Sequence, residues 1–125
     1  MTLIILGQIP SGKNQVMQLW RNGRLKKVPN TRFVLWREDA AKQILQGRGG
    51  RVQFTTPVAL TVDYFPGDKR TRDVSGCLDA LFHLLVYAHV LKDDGLVHHV
   101  TWRRMAVSKF PKVWIELSES TDVEV

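Results

Sequence analysis

The sequence predicts an α/β protein of the α+β kind, a single domain in which one mixed β-sheet is flanked by two main helices. Three observations predict it. The length of 125 residues suits one core. A hydrophobic fraction of 44% is that of a globular chain. Short alternating runs and two longer stretches of helical spacing then follow in the order strand, hairpin, helix, strand, helix, strand, strand.

Taken in order, Met1 to Ile9 is apolar and β-rich over Thr2 to Leu6. It has no basic leader and no small-residue cleavage site, so it reads as a first strand rather than a signal peptide. Gln8 to Asn14 carries Pro, Ser and Gly, which interrupt regular structure. Val16–Trp20 and Arg24–Val28 flank Asn22-Gly23, a strong hairpin signal. Arg21, Arg24, Lys26 and Lys27 crowd that hairpin. They suit either a phosphate backbone or the charged edges that deter aggregation.

Asn30 or Thr31 is expected to cap a helix running to about Gln46, with Phe33, Trp36, Ala40, Ile44 and Leu45 near helical spacing. Gly47, Gly49 and Gly50 end it in a flexible loop with Arg48 and Arg51. A strand is expected over Val52 to Phe65, where Val58, Leu60, Val62 and Tyr64 alternate with less apolar residues. Pro66-Gly67-Asp68 turns the chain, and Asp73 or Ser75 opens a second helix lasting to about Leu91. Leu78, Leu81, Phe82, Leu85 and Ala88 form its apolar stripe, while Ser75, Asp79, His83 and Tyr87 recur every four residues on another. Leu96–Val107 and Val113–Leu117 are expected to close the fold as an antiparallel pair around Phe110-Pro111-Lys112. The domain then spans 1–118, with a flexible acidic tail over 119–125.

A net charge of +6 favours polyanionic partners through phosphate contacts and counterion release. No apolar run approaches the roughly 20 residues needed to span a bilayer, so no membrane partner is expected. The lone Cys77 excludes an intrachain disulfide framework and a cysteine-based zinc cluster, which suits the reducing cytoplasm. A helix start can lower a thiol pKa, but no base or resolving partner for Cys77 is evident, and a structural role is the preferred reading. Adjacent His98 and His99 do not form a metal motif, and His89 near a helix end suits a cation. The four tryptophans, Trp20, Trp36, Trp102 and Trp114, are expected in the core or at a dimer contact.

Chemistry concentrates between Asp68 and Asp94. Lys69, Arg70 and Arg72 lead into Asp73, and about one helix length later Asp93 and Asp94 share a loop. Carboxylates beside arginine and lysine suit phosphodiester hydrolysis, because aspartate oxygens hold Mg²⁺ and basic groups bind flanking phosphates. A capping Asp73 with a solvated Asp93-Asp94 turn is the plainer alternative.

This run resembles the RusA-type crossover junction endodeoxyribonucleases, whose pattern is Arg-Asp-x-Asp-Asn-x-x-Lys followed after a helix by Asp-Asp. Arg72-Asp73 and Asp93-Asp94 match it, and Pro10-Ser11-Gly12-Lys13-Asn14 is similar to the family's Pro-x-Ser-x-Asn loop. The resemblance extends to the Trp36 helix, the Pro57 strand and the final strand. It implies a homodimer that nicks a four-way DNA junction with Mg²⁺, or Mn²⁺ in its place, in a bacterial cell and from a phage or prophage. It places metal on Asp73, Asp93 and Asp94, with Asp73 and Asp94 catalytic.

Ser75 stands where the family has its second aspartate, Gly76 where it has asparagine, and Asp79 where it has lysine. On a helix Ser75 and Asp79 are neighbours, so Asp79 is expected to act as the displaced metal-binding and catalytic carboxylate. Lys69, Arg70 or Lys92 is then expected to replace the lost cation; alternatively Asp79 simply pairs with His83. The expected DNA contacts are Lys13, Arg21, Arg24, Lys26, Lys27, Arg48, Arg51, Lys69, Arg70 and Arg72. Two other functions remain open. One is a branched-DNA-binding protein with the same fold and impaired catalysis; the other is a basic module for RNA or protein.

Overall fold

The computed structural model describes residues 1–10, 16–47 and 53–120. Its elements are β1 (Thr2–Leu6), β2 (Val16–Arg21), β3 (Arg24–Pro29), α1 (Thr31–Gly47), β4 (Val58–Phe65), α2 (Val74–Tyr87), β5 (Val97–Arg104) and β6 (Lys112–Glu119). A four-stranded mixed sheet in the order β1-β6-β4-β5 carries the two helices, which is the α+β class expected. No helix among the described residues is long and apolar enough to cross a membrane.

Alternation in the strands decides which sheet face is covered. Leu3 and Ile5 of β1, Val113, Ile115 and Leu117 of β6, and Val58, Leu60, Val62 and Tyr64 of β4 are all buried. The register sets Leu3 beside Ile115 and Ile115 beside Val62, so these side chains share one face. Phe33, Ala40, Ala41 and Ile44 of α1, and Cys77, Ala80, Leu81, Leu84 and Leu85 of α2, cover that face. Ile4, Trp114, Asp63 and Arg103 align on the other, where Arg103 grips Asp63 with two bonds of 2.6 and 2.9 Å.

The closing pair is not the antiparallel hairpin expected. β6 runs antiparallel between β1 and β4, whereas β5 lies parallel to β4 at the edge. The reason is burial. Three residues of β6 are buried, whereas β5 is half-buried only at Val97 and Trp102, so β6 takes the central place. The strand also continues past the expected domain end. Glu119 pairs with Val58 and the Ser120 N–H donates to Pro57 O, so the tail does not begin at 119. Residues 121–125 lie outside the described residues.

At the other edge, α1 closes the free side of β1. The Gln43 side-chain amide accepts the Leu6 N–H at 2.7 Å and donates to Leu6 O at 3.0 Å, as a paired strand would. Asn30 caps α1 by accepting the Arg32 N–H at 2.9 Å. The β2–β3 ribbon forms its own two-stranded sheet, and Asn22 and Gly23 both have positive φ, as a two-residue type I′ turn requires. Of the tryptophans, Trp36 and Trp102 pack against the core, but Trp20 on the ribbon is 74% exposed. Leu45 of the expected α1 stripe is also exposed, and Ala41 takes a buried place instead.

Two expected boundaries move for one reason. The strand expected from Val52 starts only at Val58, and α2 ends at Tyr87 rather than Leu91. Phe54 instead bridges to the chain leaving α2: its N–H donates to Val90 O at 2.8 Å, and Lys92 N–H donates back to Phe54 O at 3.0 Å. The helix stops because His89 adopts φ +59, letting Val90 N–H reach back to Leu85 O and His89 N–H to Val86 O. That is the double bond of a Schellman stop, usually made by glycine. A left-handed conformation costs a β-carbon about 1–2 kcal/mol, and His89 is exposed and free to be replaced. His89→Gly is therefore expected to raise stability by about 0.5–1 kcal/mol, after the loss of unfolded-state restriction, as an upward shift in the urea midpoint.

Candidate functional site

The reversal after α2 buries Val90 and Leu91 and sends the chain back along the helix. Asp93 and the 3-10 turn Asp94–Leu96 then lie beside α2. Asp79, Phe82, His83, Val86 and Tyr87 of the helix face Asp93 and Asp94 across a groove of about 570 Å³. Three of the four expected carboxylates thus share one surface. Asp79, Asp93 and Asp94 are all exposed. Gly95 leaves room for one of them, since a β-carbon there would stand 3.0 Å from Asp93 Oδ2.

Asp73 does not line this groove. It sits at the N-cap of α2, and its Oδ1 accepts the Ser75 hydroxyl at 3.1 Å. Asp73 is therefore not among the residues that this groove brings together. Among the described residues no group of three or more His, Cys, Asp or Glu is arranged to hold a metal ion. The groove instead presents the Asp93-Asp94 pair with Asp79 across from it.

A polar cluster between the helices forms the groove's rim. Arg37 Nη1 lies 3.3 Å from His83 Nε2, and its guanidinium carbon stands 4.2 Å from the Tyr87 ring centre. Arg37 also pairs with Glu38 at 3.3 Å, and Tyr87 donates its hydroxyl to the same carboxylate. Arginine can only donate, so Nε2 of His83 is the lone-pair nitrogen and the ring is neutral. Burial and then the Arg37 charge hold the His83 pKa below its ordinary value. The Tyr87 hydrogen bond, assisted by Arg37, lowers Glu38, and the same bond raises Tyr87. His83 therefore takes Arg37 as its polar partner and does not pair with Asp79. Arg37 was missed by the sequence reading, since nothing in the spacing of α1 says where α2 crosses it.

The expected cations fall elsewhere. Lys69 lines a smaller pocket with Tyr64, Arg72, Trp102 and Arg104, and Arg70 and Arg72 line another beside α1. Lys92 is exposed and, like these, is not part of the acidic groove's lining. On the ribbon, Arg24, Lys26 and Lys27 are exposed, and Arg21 pairs opposite Arg24. Lys13, Arg48 and Arg51 lie outside the described residues. Cys77 is fully buried, and burial pushes its thiol pKa up, not down.

No protein-family model matches the chain, and no curated protein matches it either.

The neutral His83 carries a pH dependence. Its native pKa lies below the ordinary 6.5, so on acidification the unfolded chain takes up this proton first. The stability it supports is complete above about pH 6.5, falls as the pH drops toward the native pKa, and is level below that. Denaturant titrations at pH 7.5 and 5.0 are expected to show a larger acid loss for the wild-type chain than for His83→Gln.

Proposed function

We propose that the chain is a metal-dependent, structure-selective endodeoxyribonuclease acting on branched double-stranded DNA, four-way junctions above all, as the RusA-type resolvases that it resembles do. The observation that carries this reading is the gathering of Asp79, Asp93 and Asp94 on one groove, although the rest of α2 and the bend after it lie between the first and the other two in sequence. The net charge of +6 supports a nucleic-acid partner.

The donor set suits Mg²⁺ or Mn²⁺. Magnesium characteristically takes one or two carboxylates and leaves the remaining positions to water and substrate phosphate. The adjacent Asp93 and Asp94, with Asp79 opposite, meet that demand without a closed cage of three residues. When bound, such an ion supplies a water made acidic and neutralises charge on the phosphate under attack. The chain's own residues hold and orient it. Three exposed carboxylates give the groove its negative potential. Neutral His83 adds no positive charge against a cation, and Arg37 lies behind it against Glu38 and Tyr87. The exposed Arg24, Lys26 and Lys27 of the ribbon suit contact with a phosphate backbone. A homodimer suits a four-way junction, whose approximate two-fold symmetry presents two equivalent strands to two equivalent sites.

A second reading, a branched-DNA-binding protein with impaired catalysis, is favoured by one observation. Asp73 stands outside the groove, at a helix start beside Ser75. Cleavage separates the two readings. With a labelled synthetic four-way junction and Mg²⁺ or Mn²⁺, paired nicks are expected that EDTA removes. Asp94→Asn is expected to lower nicking by about a hundredfold or more, beyond the 10–100-fold lost with a ligand's supporting shell. Tight junction binding with no metal-dependent nicks establishes the second reading in place of the first.

A further inference from the structure

The acidic groove has a basic neighbour. Gln8, Ile9, Pro10, Asn30, Arg32, Phe33, Trp36, Arg70 and Arg72 line a pocket of about 620 Å³, with three arginines and no carboxylate in its wall. Among the described residues neither the Arg32 nor the Arg70 guanidinium has an acidic partner. Arg72 is held from behind, its Nη2 at 2.8 Å from Asp68 Oδ2, while Asp68 Oδ1 accepts the Arg70 N–H at 3.0 Å. Asp68 thus holds the Arg72 guanidinium and the Arg70 backbone before any ligand arrives. Two buried donors in the same wall, Arg72 Nε and Trp36 Nε1, have no acceptor among the described residues. Donors buried without acceptors are costly, and an anion settling among these side chains is the partner that relieves them.

The pocket and the acidic groove meet at one contact. Phe33 lines the first, His83 lines the second, and their rings touch edge to face with centroids 5.1 Å apart. The basic pocket and the acidic groove therefore adjoin at this aromatic contact.

We propose that Arg32, Arg70 and Arg72 form a receptor for a single backbone phosphate of the DNA strand, next to the phosphate that enters the acidic groove, with Asp68 as the positioning residue. The adjacency of this phosphate to the one in the groove rests on the reading of the chain as a DNA-cleaving protein; phosphate capture itself does not need cleavage. Guanidinium forks of this kind suit a phosphodiester monoanion. It orients the strand and leaves the bond-breaking to the groove.

The test is equilibrium binding of a fluorescent four-way junction in EDTA over a range of salt, where no cleavage occurs. Arg32 and Arg70 are exposed, so the double variant Arg32→Ala/Arg70→Ala is expected to fold as the wild type does, checked by circular dichroism. Affinity is expected to fall about tenfold or more, and the slope of log K against log salt to flatten by about 0.9, one phosphate's worth. Arg32→Lys/Arg70→Lys keeps the charge and is expected to restore the slope but only part of the affinity. Inorganic phosphate is expected to compete with the junction for the wild type and not for the alanine variant. Unchanged affinity and slope in a folded alanine variant overturn the proposal, whether or not the junction is cut in Mg²⁺. A loss of slope together with no cleavage by the wild type keeps the phosphate receptor and removes the nuclease.

Discussion

The chain reversal at the end of α2 determines where the acidic residues of this protein lie. His89 accepts a left-handed backbone, Val90 and Leu91 are driven into the core, and Phe54 clamps both sides of the bend with two backbone hydrogen bonds. Two side chains buried completely within five residues of a helix end leave the chain one direction, back along the helix it has just left. Asp93 and Asp94 therefore arrive beside the Asp79 and His83 face of α2, not at its start. The placing of Asp93 and Asp94 on the groove follows from that bend.

Charge is sorted by this arrangement. A chain with a net charge of +6 keeps three carboxylates together on one groove and sets three arginines in the adjoining pocket. Clustering like charges at an exposed surface destabilises a fold modestly and is tolerated where solvent and counterions screen it. The two clusters are kept apart by an apolar and aromatic seam, Phe33 against His83, with Arg37 stacked on Tyr87 behind it. Both remain open to a ligand that carries the opposite sign.

Much of the fold was legible locally. Val58, Leu60, Val62 and Tyr64 alternate because one sheet face is buried, and Asn22-Gly23 and Asn30 act through their own backbone chemistry at the turn and the cap. The four-residue stripe of Asp79, His83 and Tyr87 is helix geometry written in sequence, and it does line the groove. Non-local facts were not legible. That β6 lies between β1 and β4 depends on which strand buries more surface after the chain has closed. The stop at His89 carries no glycine to announce it. Arg37 enters the site through the crossing of α1 over α2, and Cys77 rises in pKa because the helix start that held it is covered by the sheet.

The proposed function puts the metal on the groove of Asp79, Asp93 and Asp94 and away from Asp73. Paramagnetic broadening of backbone amide signals by substoichiometric Mn²⁺, in an isotopically labelled sample, addresses it without reference to DNA or to cleavage. Broadening centred on Asp79, His83, Asp93 and Asp94, with the Asp73 amide spared and the effect removed by Asp94→Asn, is the expected result. Broadening centred on Asp73 and Ser75, or spread over the surface without a centre, contradicts the account.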